Sequence, residues 1–266
     1  MGLYQNRIVV KVGTSTLTNE MGKSDLRSFD RLACVLSDIQ NMGHEVILVS
    51  SGAIAIGRNK LNMKERPASM RMKQAAAAVG QCSIMYLYDK FFGDYDKTIA
   101  QILLNAEDME HEEKKENLTN TFNALLEMGI IPVVNENDSV SYTEIESGDR
   151  LFGDNDMLSA VVAILCKAKQ LVILSDINGL YDSDPRLHPN AKLINRIEQI
   201  DETVYSLAGG AGSRRGTGGM KTKLQAAGLA TAQGTDTIIT NGKTPEALYE
   251  IVKGGQVGTL FAGKAL

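Results

Sequence analysis

Short apolar runs and longer mixed segments take turns along this chain. "RIVVKV" (Arg7 to Val12), "EVILVS" (Glu45 to Ser50), "TIAQILL" (Thr98 to Leu104) and "IIPVVN" (Ile130 to Asn135) are rich in β-branched and aliphatic residues. So are "QLVILSD" (Gln170 to Asp176), "DTIIT" (Asp236 to Thr240) and "VGTLF" (Val257 to Phe261). Most are apolar at successive positions instead of alternating, which predicts strands covered on both faces. The segments between them read as helices. "SDLRSFDRLACVLSDIQNMG" sets Phe29, Leu32, Ala33, Leu36 and Ile39 on one helical face and closes at Gly43. Further helices are expected from Pro67 to Phe92, over "HEEKKENLTNTFNALLEMG", "GDNDMLSAVVAILCKA" and "TPEALYEIVKG", and after "GTGG". The pattern predicts an α/β fold, a three-layer α/β/α sandwich with a mostly parallel central sheet. "SVSYTEIESGDR" (Ser139 to Arg150) breaks the rhythm; it alternates like a hairpin and is expected to project from the sheet beside the substrate.

An open parallel sheet binds ligands at the carboxyl ends of its strands. The first strand ends with Lys11 and then "GTST" from Gly13; the second runs into "SSGA" (Ser50 to Ala53). "IIPVV" gives way to "NENDS", with Asn135 and Asp138, and "LVIL" to Ser175 and Asp176. "GDND" (Gly153 to Asp156) opens a helix with the same chemistry. Together these segments make a polar rim suited to a large anion beside a small polar ligand.

Each of these signals also has a plainer explanation. Lys11 either snorkels from a sheet edge or meets a ligand together with the backbone of Gly13. Ser51 and Gly52 form either an ordinary helix cap or an open N-terminus that receives a carboxylate or phosphate. Asp154 or Asn155 can cap the helix that follows them, and the helix dipole favours Asp156 in its first turn. "GTGGMKTK" (Gly216 to Lys223) brings glycine backbone to the start of a helix, yet it matches neither a Walker A motif nor G-x-G-x-x-G. Its lysines, Lys221 and Lys223, stand two apart and do not share a helical face. One at the chemistry and one at the rim or in solvent is the expected split.

The bulk numbers narrow the function further. Of 266 residues, 43% are hydrophobic and 23% charged, and the net charge is −4. That balance gives no general attraction to nucleic acid or to an anionic membrane, so an anionic ligand must be held by local cations. No apolar run reaches the length of a membrane span. Three scattered cysteines argue for reduced thiols and a cytoplasmic protein, with Cys34 expected in the core. The three histidines have no partner at metal-ligand spacing, so no zinc site is expected and no metal-ligating residue is assigned. No G-x-S-x-G elbow is present for a serine hydrolase.

Taken in order, "VVKVGTSTL", "LVSSGAIAIG", "PVVNENDSV", "GDNDMLSA", "LSDINGLYDSDP" and "GTGGMKTKLQAA" resemble the motifs of the amino acid kinase family, in its glutamate 5-kinase branch. The resemblance covers essentially the whole chain. It implies an ATP-dependent transfer to the γ-carboxylate of L-glutamate, with Mg²⁺ and with proline as a feedback inhibitor. A single catalytic domain over 1–266 and a homo-oligomer are expected; in one departure from the family, the RNA-binding PUA domain that many members carry is not expected here.

The resemblance assigns residues as well. Lys11 and Lys223 surround the transferring phosphoryl group, and Asp156 orients them. Ser51, Gly52, Asn135, Asp138 and Asn155 contact glutamate. Lys11, Gly13, Ser175 and Asp176 contact the nucleotide, as do Thr217, Gly218, Gly219, Met220, Lys221, Thr222 and Lys223. Other acceptors used on this fold are acetylglutamate, carbamate, aspartate and nucleoside monophosphates. A non-catalytic sensor is the alternative from another class, though a pure binder has no need of cations at the phosphoryl position. The acid at Asp138 suits the α-ammonium of free glutamate, which N-acetylglutamate lacks.

Overall fold

The computed structural model describes residues 3–19, 21–65, 67–140, 154–208 and 219–264. In chain order the elements are β1 (Tyr4–Val12), α1 (Thr14–Leu17), α2 (Leu26–Asn41), β2 (Glu45–Val49), α3 (Ala53–Lys60) and α4 (Met70–Gly93). There follow β3 (Ile99–Leu104), α5 (Glu112–Glu127), β4 (Ile131–Glu136), α6 (Asn155–Leu165), β5 (Ala168–Ser175) and the two-residue β6 (Arg196–Ile197). The chain ends with α7 (Glu202–Leu207), α8 (Met220–Ala232), β7 (Asp236–Asn241), α9 (Ala247–Val252) and β8 (Thr259–Phe261).

The strands form one sheet in the order β3-β4-β2-β1-β5-β7-β8-β6. Among the described residues, β7 and β8 pair antiparallel and the other neighbours pair parallel. The expected mostly parallel sheet is therefore present.

Side-chain alternation along the strands separates two cores. On one face Val9, Ile47, Val49, Leu171 and Ile173 pack with Phe122 of α5, Leu158 of α6 and Leu224 of α8. On the other, Ile8, Val10, Val46, Leu48, Val172 and Leu174 pack with Phe29 of α2, Tyr88 of α4 and Leu248 of α9. All five residues expected on the buried face of α2 are there, or nearly so: Phe29, Leu32, Ala33, Leu36 and Ile39 are at most 1% exposed. Cys34 departs from expectation. It is only half-buried, because it lies one position past that stripe.

Helix α4 begins at Met70, three residues after Pro67, because the Ser69 side chain accepts the Met72 N–H and caps it there. It crosses α3 at two glycines. A Cβ on Gly57 would lie 1.8 Å from the Ala76 carbonyl oxygen, and one on Gly80 1.7 Å from that of Ala53. The two backbones approach this closely only because both side chains are absent. The hairpin expected over 139–150 falls almost wholly outside the described residues.

Candidate active site

Strand parity decides where Lys11 goes. It shares the face of Val9, under α6 and α8, and is 7% exposed. β1 is flanked by β2 and β5, so the reading of Lys11 as an edge lysine does not hold. Its Nζ lies 2.6 Å from Asp156 Oδ1 in the first turn of α6. The other carboxylate oxygen, Oδ2, accepts from Lys223 Nζ at 3.0 Å, in the first turn of α8. The Thr222 hydroxyl lies 3.2 Å from the same oxygen. Asp156 is 1% exposed and Lys223 7%.

Two ammonium groups thus share one buried carboxylate, and the N-terminal turns of α6 and α8 meet over the end of β1. Burial alone would push the Asp156 carboxyl upward. The charges of Lys11 and Lys223 outweigh that effect and hold it at about 2. The cluster carries a net positive charge, to which both helix dipoles add. Lys221, by contrast, is exposed, as the split between the two lysines anticipates.

A second constellation lies one strand further along the sheet. Asp154, not Asn155, caps α6: its Oδ1 accepts the N–H groups of Asp156 and Met157. That leaves Asn155 to reach across the sheet end. Its Nδ2 lies 2.6 Å from the Ser50 carbonyl oxygen, 2.9 Å from Ser51 Oγ and 2.9 Å from Asn135 Oδ1, three acceptors that share its two N–H groups. Ser51 is therefore not the cap of α3. Gly52 occupies that position in the left-handed region (φ 99°) and supplies no side-chain cap, so the helix N-terminus stays open. Asp138, just past β4, is half-buried, and that burial pushes its carboxyl up to about 6.

Between β5 and α8 lies a cleft of about 320 Å³ lined by Ser175, Asp176, Tyr181, Pro185, Leu207, Met220 and Lys223. Apolar Pro185, Leu207 and Met220 share its lining with polar Ser175, Asp176 and Lys223. The expected nucleotide contacts Ser175, Asp176, Gly219, Met220 and Lys223 all line it, whereas Lys11 joins through Asp156. Gly13 stands beside Lys11, with room at its Cα: an added Cβ would lie 3.8 Å from Lys11 Nζ. Gly219 caps α8 without a side-chain bond. Thr217 and Gly218 lie outside the described residues.

Several neighbours of the site escaped sequence reasoning. Tyr181 lines the cleft from within "LSDINGLYDSDP", where no role was read for it, and Leu207 from a short helix with no motif of its own. Gln81 of α4 touches Asn135, its Oε1 accepting from Asn135 Nδ2 at 2.9 Å. Tyr88, two turns further along α4, lies 3.0 Å from Ser50 Oγ through its hydroxyl. Asp154 Oδ2 is buried and without a hydrogen-bond partner among the described residues. That unpaired oxygen, at a caps-only position in the sequence reading, is the kind of group a cation completes.

Residues 6–241 match the profile of the Amino acid kinase family. Among relatives, a glutamate 5-kinase of Clostridium perfringens is 54% identical over 97% of this chain and 96% of its own length. One of Listeria innocua is 50% identical over 97% of this chain and 93% of its own. Solved structures share the fold at far lower identity. UMP kinase from Bacillus anthracis aligns with a TM-score of 0.65 at 14% identity, covering 98% of this chain and 97% of that one. Carbamate kinase from Giardia lamblia, bound to AMP-PNP, aligns at 0.66 and 16%, covering 98% of each.

Proposed function

The chain belongs to the amino acid kinase family, and on that premise we infer that it transfers the γ-phosphoryl group of ATP to the side-chain carboxylate of L-glutamate. The product is L-glutamate 5-phosphate, the first intermediate of proline synthesis. The relatives at about half identity over nearly the full chain support the substrate. The observation that carries the chemistry is the pair of ammonium groups on one buried carboxylate, Lys11–Asp156–Lys223, with Lys223 in the lining of the cleft.

A glutamate side chain is already ionised at neutral pH, with a reference pKa of about 4.3. No general base is needed, in keeping with a site built from lysines, amides and carboxylates. The difficulty is to bring one anion against another. Catalysis is then positioning plus positive charge. A carboxylate oxygen attacks the γ-phosphorus, the bond to the β,γ-bridging oxygen breaks, and ADP departs with its electron pair. Lys11 and Lys223 stabilise charge on the transferring group, and Asp156 keeps both ammonium groups aimed at it.

The cleft between β5 and α8 takes the nucleotide. Ser51, Asn135, Asp138 and Asn155 take the amino acid, Asp138 against its α-ammonium and the open N-terminus of α3 against a carboxylate. Mg²⁺, if bound with the nucleotide, would supply neutralisation of part of the phosphate charge. Asp154, with its unpaired oxygen, is the carboxylate of this site that fits a contact to it.

Asp138 favours free glutamate over N-acetylglutamate, which has no ammonium to pair. The reading also makes proline the feedback inhibitor, a homo-oligomer the assembly and the cytoplasm the compartment. No helix among the described residues is long and apolar enough to cross a membrane. The test is ADP release from Mg-ATP with L-glutamate, N-acetyl-L-glutamate, L-aspartate, carbamate and UMP side by side. Turnover with L-glutamate alone supports the reading. Turnover with acetylglutamate keeps the lysine roles and overturns the role of Asp138. No turnover with any of them overturns the kinase assignment.

A further inference from the structure

Asn155, Asn135 and Gln81 form a relay of three side-chain amides with a fixed sense. The Ser50 carbonyl can only accept, so the Asn155 carboxamide must turn its Nδ2 toward it, at 2.6 Å. Asn155 Nδ2 also donates to Asn135 Oδ1. Asn135 must therefore turn its Nδ2 the other way, and there it donates to Gln81 Oε1 at 2.9 Å. Read in this direction, the Asn155 donors are committed to the protein and its Oδ1 remains as an acceptor. Ser51 Oγ shares those two N–H groups at 2.9 Å, and because an amide nitrogen cannot accept, the Ser51 proton is free to be given to another group.

Gln81 closes the relay at its far end. Its Nε2 is buried and has no hydrogen-bond partner among the described residues. A purely structural glutamine that leaves its donors unpaired is costly. Its oxygen, by contrast, is the acceptor for the Nδ2 of Asn135, a residue only 2% exposed. Without that oxygen the Asn135 amide would hold a buried, unmatched donor and could turn over. It would then present N–H groups to the N–H groups of Asn155, and Asn155 would have to move.

We propose that Gln81 is a positioning residue for the amino acid substrate: it accepts the otherwise unmatched Asn135 Nδ2 and so holds Asn135, and with it Asn155 and Ser51, in the sense that the Ser50 carbonyl sets. Helix α4 is well suited to this. It is seated on α3 at the Gly57–Gly80 crossing, and its Tyr88, seven residues after Gln81 on the same face, bonds Ser50 at the other end of the relay. Gln81 makes no contact with the lysine pair. The proposal rests on the glutamate reading above, and it concerns the amino acid half of the site alone.

The experiment compares wild type, Gln81→Met, Asn135→Ala and the double variant by steady-state kinetics, with a thermal melt on each. Gln81→Met keeps the side-chain bulk and removes the acceptor. The expected result is a rise of about tenfold in KM for L-glutamate, the size of one lost hydrogen bond, with kcat and KM for ATP within about twofold. The double variant is expected to be no worse than Asn135→Ala alone, because Gln81 acts through Asn135. An unchanged glutamate KM, an equal rise for both substrates, or additive effects in the double variant would overturn the proposal. If Gln81→Met does not fold, Gln81→Ala removes the same acceptor and is read by the same criteria. The wild type reports separately on the substrate. If it prefers another acceptor, the variants are compared on that acceptor, and the KM shift still decides the role of Gln81.

Discussion

Lys223 Nζ stands 3.0 Å from Asp156 Oδ2, across 67 residues of chain, in a place that water barely reaches. Lys11 holds the other oxygen of the same carboxylate at 2.6 Å. Three elements that the sequence keeps far apart, the end of β1 and the first turns of α6 and α8, meet at this carboxylate. The carboxylate offsets the repulsion between two buried ammonium groups and fixes where both point.

Lys223 is therefore expected to matter for turnover and little for folding. Lys223→Ala should lower kcat by about 10²–10³-fold, the size of a lost transition-state donor, and leave the far-UV spectrum unchanged. A folded variant with near-normal kcat would remove Lys223 from the chemistry. Lys221→Ala, altering an exposed side chain, serves as the contrast and should change kcat by less than about threefold.

Asp156→Asn should be destabilising, because it strands two buried cations. Breaking a buried pair by removing one partner costs about 3–5 kcal/mol. The pH dependence has a definite sign. The folded-state value of about 2 lies below the usual aspartate value. The stabilisation is thus fully present above the unfolded-state pKa of ~3.9 and is lost as pH falls further. In urea titrations the advantage of wild type over the variant should be flat at higher pH and shrink as pH drops below that value. An advantage that grew on acidification would contradict the account.

Glutamate affinity should follow the ionisation of Asp138. Burial raises that carboxyl to about 6 in the free protein, so below that pH it is neutral and offers no charge to an ammonium. KM for L-glutamate should be level at higher pH and rise by about tenfold per unit on the acid side, while KM for ATP does not follow. In Asp138→Asn the value should be high throughout and this inflection should vanish. Its persistence in the variant would assign it to another group.

The crossing of α3 and α4 should tolerate no side chain. In Gly80→Ala a gain of up to about 1 kcal/mol in helix propensity is set against an overpacking cost of about 1–3 kcal/mol or more. The methyl carbon would meet a backbone oxygen at 1.7 Å, which no side-chain rotation relieves. A net loss in chemical denaturation is expected. Gly93→Ala, where an added Cβ meets nothing within 4 Å, should be neutral or stabilising. Equal effects at the two positions would show that the close approach is not under strain.

The layered fold was legible because buried parallel strands write themselves as short apolar runs. Lys11 was conspicuous for the same reason: a charge in such a run must face something. Ser51 was harder, since a serine ahead of a helix looks like a cap. Its actual partner is an amide 104 residues away, and only the tertiary structure brings Asn155 there. Gln81 left no local signal at all in "KQAAAAVGQCS", because its meaning depends on which strand end α4 passes. "VGTLF" was legible as the strand β8, but its antiparallel direction was hidden. Helix α9 has six residues and rises about 9 Å, less than the strand beside it, so the chain re-enters the sheet from the end it left.

The most direct test follows the oxygen. L-glutamate carrying ¹⁸O in its side-chain carboxylate is turned over with Mg-ATP and hydroxylamine, and the released phosphate is weighed by mass spectrometry. If a carboxylate oxygen attacks phosphorus, hydroxylamine then displaces phosphate at the acyl carbon. Each phosphate must carry one ¹⁸O, in step with γ-glutamyl hydroxamate. Unlabelled phosphate with no hydroxamate would mean that ATP is cleaved without a carboxyl acceptor, and the assignment of Lys11 and Lys223 to acyl-phosphate formation would fall.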